Sequence, residues 1–363
     1  MSIPALIAVG CYSRSGTGRG PGLELLRLTT EGTGVPGGAD GAPALTVERG
    51  ASVELPDPSF VLWSPDGTLL YAVLETDPAR VVAVRVGQDG RSADVVADHR
   101  LAAAGGCHLA FGRSPSTLLV AGYGSGTVET VRLDAEGLPV ESVDRDDHHS
   151  LADGGRPHPH QVVALPGTDL LAVPDLGLDR VFLYRQDSTG EVDLAGEIPL
   201  PRGSGPRHLA PDHESEQLHI SCERSGMIAT AVRRDVPAER PGASAPQGAT
   251  REWSVRSSTA ASGREGDNAL SHVELSADES VLLVANRGPD TVSALSLAQM
   301  RPQLVSEIEV GAHPRHFTRL GDLVLVAAQE SDRIDVLRLE RDELSVAGDP
   351  IPAPSVACLA LRP

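Results

Sequence analysis

Arginine, histidine and glutamate recur at matching points of this 363-residue chain, and together they could hold an anion and move a proton. One set comprises His108, His160, Arg207 with His208, His272, and Arg315 with His316. A second comprises Glu75, Tyr123, Asp175, Glu223, Arg287, and Gln329 or Glu330. Guanidinium groups such as Arg207, Arg287 and Arg315 bind a carboxylate, a phosphate or a developing oxyanion. The imidazole of His160 and the carboxylate of Glu223 could move protons or activate water near neutral pH. An anion clamp beside an acid–base pair suits ester or lactone chemistry without a covalent intermediate. The chain carries no G-x-S-x-G elbow, which disfavours a serine hydrolase. Several histidines at one place could ligate a metal, but interleaved arginines oppose a cation; no metal and no cofactor is expected.

These residues act together only if a fold gathers them, and a repeat supplies that. Segments starting near residues 58, 107, 160, 207, 271 and 315 share one grammar. Each runs through a short apolar strand, a polar turn, a second apolar strand, a Gly/Asp-rich turn and a third strand. PSFVLWSPDGTLLYAVLETDPARVVAVRV from residue 58 and SHVELSADESVLLVANRGPDTVSALSL from residue 271 display it. A less regular fourth strand follows, as at 93–99. Asp66-Gly67 sits between two apolar runs, where a tight hairpin requires positive φ. Short apolar runs at this spacing suit buried strands, and no helical periodicity is sustained. Units of about 45 to 65 residues have the size of four-stranded propeller blades.

Six units are complete and the seventh is split. Residues 1–50 offer strands two to four (6–12, 23–28 and 44–49), while 354–363 echoes Pro58-Ser59-Phe60-Val61 and offers the missing first strand. Pairing these segments removes both open edges of the ring. The expected fold is an all-β, seven-bladed β-propeller, a single domain over 1–363, closed by its C-terminal strand joining the N-terminal blade. Residues 235–250, rich in Pro, Ala, Gly and Ser, read as a surface loop insertion, with 251–257 as the outer strand after it. In such a ring the first strand of each blade lies nearest the central channel. The start of strand one and the end of strand two reach the same rim, so residues there converge on one channel mouth. Both sets named above occupy those two positions.

Composition narrows the function classes. Formal net charge is −19, and all 31 basic residues are arginine. Without lysine there is no Schiff base, no pyridoxal phosphate attachment and no Walker-type phosphate loop. Strong acidity with 3% aromatic residues argues against nucleic-acid binding. Cys11, Cys107, Cys222 and Cys358 lack metal or redox spacing and read as reduced core thiols. The opening residues carry no basic leader and no long apolar segment, so the expectation is a cytoplasmic protein without a membrane partner, a monomer or weak dimer.

The runs GRPHPHQVV (155–163), VPDLGLDRVFLY (173–184), GPRHLA (205–210), ANRGPDTV (285–292) and GYGSGTV (122–128) resemble the lactonase family of seven-bladed propellers. That family includes propeller-type 6-phosphogluconolactonases and the fungal carboxy-muconate lactonising enzyme. The resemblance implies an active site at His160, Arg207, Glu223 and Arg287. The remaining candidates for substrate contact are His108, His208, Tyr123, Asp175, Arg315 and Glu75, with His158 of the PHxH run. The chain departs from the family's pattern at Cys222, Gly122 and His316, where Asn, Asn and Asp are usual. The expected function is hydrolysis of a small anionic sugar-acid lactone, 6-phosphogluconolactonase-like. The alternatives are a muconate-type lactonising or isomerising enzyme, and a non-catalytic propeller that binds a protein or metabolite.

Overall fold

Runs of Val, Leu and Ala between Gly- and Asp-bearing turns form seven four-stranded antiparallel sheets. The structure, a computed structural model, describes residues 5–15, 18–30, 45–236 and 250–363. Six blades open with the first strands Pro58–Trp63, Gly106–Phe111, Val163–Ala164, Pro206–Pro211, Ala269–Leu275 and Pro314–Leu320. Second strands are buried on both faces, as at Leu69–Leu74 and Leu323–Ala328, because each blade packs against two neighbours. Leu25 and Cys358 of the first blade meet Val61, Leu70 and Val82 of the second. On its other face Ile7 and Val9 meet Leu325 and Val336 of the seventh. Continuous apolar runs are what two covered faces demand.

Closure follows the expected plan. Val356–Leu361 pairs antiparallel with Ala5–Cys11, setting Ile7 opposite Leu361 and Gly10 opposite Cys358. Gly22–Thr30 and Leu45–Glu54 complete that first blade. The Trp63 indole N–H donates to the Ala360 carbonyl at 3.0 Å, which ties the added strand to the second blade. All four cysteines are free and buried.

Two elements differ from the sequence reading. The first strand of the fourth blade is only Val163–Ala164, preceded by an isolated bridge from Pro159 to Asp175. Pro157 and Pro159 lack the N–H groups a ladder uses. The outer strand of the fifth blade, Thr250–Ala260, is longer than 251–257, and its partner Met227–Val236 extends into the expected loop. The rest of that loop, 237–249, lies outside the described residues.

One irregularity repeats and positions everything at the channel. Where strand one meets strand two the register shifts, between Pro58 and Phe60, Gly106 and His108, Pro206 and His208, Leu270 and Val273, and Pro314 and His316. A bulge of this kind lets two consecutive residues turn to the same side. The residue two places before each inward pair is left-handed in five blades: Asp57, Gly105, Gly205, His313 and Ser355, with φ from 49° to 62°. The shift recurs in the first blade opposite Gly10 and Cys11, while in the fourth His160 and Gln161 precede the short strand Val163–Ala164 and hold the corresponding places. Each blade therefore presents an upper and a lower residue to the channel. Upper positions hold Ser59, Cys107, His160, Arg207, Ser271, Arg315 and Ala357; lower ones hold Phe60, His108, Gln161, His208, His272, His316 and Cys358.

Removing residues 354–363 leaves the first blade with three strands and two open edges in the ring. The expected outcome is insoluble protein, or a Tm lower by on the order of 10 °C, each ~1 kcal/mol being worth a few degrees. Thermal melts of the truncated chain check this.

Candidate active site at the channel mouth

The ends of the second strands are fixed by one hydrogen bond repeated around the ring. The backbone N–H groups of Tyr12, Glu75, Tyr123, Leu176, Glu223 and Gln329 donate to the carbonyls of Ser355, Asp57, Gly105, His158, Gly205 and His313. Arg287 fills the seventh place, since Asn286 pairs with Leu270 as Cys222 pairs with Pro206. Side chains from these positions and from the upper tier of first strands meet at one mouth.

Its centre is a carboxylate between two guanidinium groups. Arg207 Nε lies 3.0 Å and Arg287 Nη2 2.6 Å from the same Glu223 oxygen, Oε2. Both of these contacts fall on Oε2 and none on Oε1, and Glu223 lines a groove of about 470 Å³. Arg287 is braced from behind, its Nε and Nη2 donating to the Ala269 and Leu270 carbonyls at 3.0 Å. Arg207 is 2% exposed and its buried Nη1 has no partner among the described residues. Burial raises the Glu223 carboxyl pKa, but Arg207 and Arg287 outweigh it and hold the pKa below the usual carboxylate value. Burial and the nearby Arg287 lower the Arg207 pKa to about 9, which leaves the guanidinium protonated at neutrality.

Across the mouth stands a second charged group. Arg315 Nη2 is 3.8 Å from Glu75 Oε2, and the same oxygen accepts the Tyr12 hydroxyl at 2.6 Å. The Arg315 guanidinium lies over the Tyr12 ring, 5.2 Å from its centroid. Tyr123 stacks on His158 at 4.3 Å and meets His160 edge-on at 5.6 Å. His158 Nδ1 is held at 2.8 Å from the Tyr123 carbonyl. His160 is buried with Nδ1 unpartnered; burial first, then Arg207, Arg315 and Arg287, hold its pKa far below the usual imidazole value. It is a neutral imidazole at physiological pH.

The structure thus brings His160, Arg207, Glu223, Arg287, Arg315, Glu75, Tyr123 and His158 to one place. Three expected contacts are corrected. His108 and His208 sit in the lower tier, buried beneath the mouth in a closed belt with Phe60, His272 and His316. His108 Nδ1 accepts the Val162 N–H at 3.4 Å and His208 Nδ1 lies 2.9 Å from His272 Nδ1, so both join blade to blade. Asp175 is one residue short of the rim position, which Leu176 takes, and is 0% exposed. Its Oδ1 accepts the His158, Gly177 and Leu178 N–H groups, and its Oδ2 meets His148 Nδ1 at 2.7 Å. It holds the PHxH segment in place without facing the mouth. Of the departures from the family's pattern, Cys222 lies in the blade core, Gly122 sits where a Cβ would be 2.6 Å from Ser125 Oγ, and His316 belongs to the belt.

Two rim residues escaped the sequence reading. Tyr12 holds in the split blade the place that Glu223 holds in the fifth, and the strand-end rule applied to 6–12 would have found it. His313, two residues before Arg315, has no such signal; burial, then Arg287, Arg315 and Arg207, bring its pKa down to about 4.

This arrangement can be set beside known proteins. The family model "Lactonase, 7-bladed beta-propeller" matches residues 8–361. The chain belongs to that lactonase family. Uncharacterised proteins of Staphylococcus aureus are 26% identical over 255 residues, covering 66% of this chain and 68% of theirs. Among solved structures, a periplasmic gluconolactonase of Pseudomonas aeruginosa superposes with a TM-score of 0.82 at 22% identity, over 99% of both chains. A candidate 6-phosphogluconolactonase of Bacteroides fragilis gives 0.82 at 20% identity, over 99% of this chain and 98% of its own. At such identity these structures share the lactonase propeller fold.

Asp175→Ala would leave three N–H groups and a buried imidazole without their acceptor. The expected cost is ~3 kcal/mol or more, read as a fall in denaturant midpoint at unchanged m-value.

Proposed function

We propose that the protein hydrolyses a sugar-acid lactone at this mouth. The observation that carries the reading is the unpartnered Arg207 Nη1 beside Glu223, where both arginine contacts fall on Oε2 and none on Oε1. The lactone carbonyl oxygen lies against Arg207 and Arg287, in a buried site where oriented donors stabilise developing charge far better than water does. Glu223 Oε1 accepts a proton from the attacking water as its oxygen bonds to the carbonyl carbon. The resulting carboxylic acid sits between two cations, which makes it a weak base and a strong acid. It returns the proton to the ring oxygen as the C–O bond breaks, giving the hydroxy acid. Neutral His160 packs beside this centre without adding a further positive charge. Glucono-lactone and 6-phosphogluconolactone are the first substrates to try, against an enzyme-free control for spontaneous hydrolysis.

Removing one oxyanion donor costs ~10²-fold or more in kcat, and removing the proton-transfer group ~10²–10⁴-fold. Arg207→Ala and Glu223→Gln are both expected to lose turnover by these factors in a pH-stat assay. Their stabilities should part. Arg207→Ala relieves repulsion among Arg207, Arg287 and Arg315 and is expected to hold or raise Tm. Glu223→Gln leaves those cations facing Glu75 alone and is expected to lower it. Full activity in both variants would overturn the assignment.

The pH profile tests whether a group with a depressed pKa takes the proton. A carboxyl held below its usual value is ionised throughout the neutral range and is lost only as pH falls through that lowered pKa. The acid limb of kcat/KM is therefore expected below about pH 4.3, the ordinary glutamate value. A limb near pH 6.5 would fit neither Glu223 nor His160, whose pKa is also held far below the usual imidazole value, and would overturn the assignment.

A further inference from the structure

Beside the Arg315 half of the mouth lies a cavity of about 580 Å³, and its lining differs in kind from the arginine-clamped half. Tyr12, Arg19, Glu75, Arg315, Gln329 and Glu330 are among the residues that line it, and the Arg19 guanidinium is paired with Asp332. Glu75 Oε1 has no hydrogen bond among the described residues, since the Tyr12 hydroxyl and Arg315 both go to Oε2. The Gln329 amide oxygen is buried with no partner. Glu330 is 65% exposed, with Oε1 3.4 Å from His313 Nδ1.

Free acceptors in a partly enclosed space mark a site for a ligand that brings donors. An unpaired buried amide is costly until its partner arrives. An oxyanion answers poorly, because Glu75 and Glu330 flank the space while the two guanidinium groups there are already engaged, Arg19 by Asp332 and Arg315 by Glu75. An apolar group does not answer either, because it would leave Gln329 unpaired and strip water from Glu75. Hydroxyl groups do: each donates to a carboxylate or amide oxygen and can accept from Arg315.

We propose that this cavity is a polyol subsite, which takes the uncharged hydroxyl-bearing part of the substrate while the lactone carbonyl lies on Arg207 and Arg287. The proposal rests on the lactonase reading and narrows it to lactones with several free hydroxyls on the side away from the arginine clamp. Flat unsaturated diacid lactones lack the donors that Gln329 and Glu75 require. A phosphate ester, if the substrate carries one, points away from Glu75 and Glu330.

The test compares glucono-lactone with valerolactone, the same ring without hydroxyls, in the wild-type chain and in Gln329→Leu and Gln329→Glu. A site built to bond hydroxyls discriminates strongly against analogues that lack them. The ratio of kcat/KM for the two lactones is expected to fall about tenfold or more in Gln329→Leu, and to recover in part in Gln329→Glu, which restores an acceptor. A ratio unchanged in a folded Gln329→Leu protein overturns the subsite. Binding of anhydroglucitol, a polyol ring with no carbonyl to attack, is followed by ligand-observed NMR in the same variants. If the wild type hydrolyses no lactone, the catalytic reading fails, yet saturable anhydroglucitol binding that is lost in Gln329→Leu still supports the subsite. Equal binding in both proteins overturns it.

Discussion

Seven first strands running into one channel bring their inner side chains too close together for every position to be large. The bulge in six of the seven blades resolves this crowding by splitting the inward residues into two tiers. The lower tier is filled: four histidines and Phe60 close a belt of rings, and Gln161 accepts the Leu209 N–H of the next blade at 2.7 Å. The upper tier is not filled. Ser59, Cys107, Ser271 and Ala357 are small, and Ser59 and Ser271 turn aside to bond the neighbouring blade's carbonyls of Gly106 and Pro314. Only His160, Arg207 and Arg315 project at that level, and the space left between them is the mouth. The proposed active site is a place where the ring declines to complete its own packing.

The electrostatics follow from that incompleteness. Arg207, Arg287 and Arg315 face Glu223 and Glu75, one cation more than these two half-buried carboxylates balance, in a chain whose formal net charge is −19. Both Glu223 contacts fall on one oxygen, which leaves the other free for water. The excess charge lowers the Arg207, His160 and His313 pKa values together, and burial does more than any single neighbour. A buried guanidinium with an idle N–H is a poor contributor to stability and a good acceptor-seeking group for chemistry. The arrangement trades the first for the second.

The sequence made much of this legible, and its failures share one cause. Hairpin glycines and two-faced apolar runs were enough to count blades, and the echo of Pro58-Ser59-Phe60-Val61 near the C-terminus identified the closing strand. Strand-end positions led to Arg207, Glu223, Arg287, Arg315, Glu75 and Tyr123. Asp175 was misplaced because a slip of one residue in a strand turns a side chain to the opposite face. His108 and His208 were misplaced because a bulge leaves no mark in residue types; adjacent inward residues look like one position. Tyr12 was overlooked because its first strand lies at the other end of the chain, so no local unit displayed the rule. Register, rather than composition or periodicity, is what single-chain patterns fail to carry.

The same distance between Ala5–Cys11 and Val356–Leu361 has a consequence in time. At a synthesis rate of about 5–20 residues per second, the first strand waits on the order of tens of seconds for its partner. Throughout that interval its inner edge is a row of unmet N–H and C=O groups flanked by Ile7 and Val9, both fully buried in the closed ring. Six blades can assemble one on another as they emerge, but none of them can cover that edge. The entropic cost of closing so long a loop is modest, since it grows only with the logarithm of length. What the nascent chain faces is thus a delay more than a barrier, and its first blade is the last to be finished.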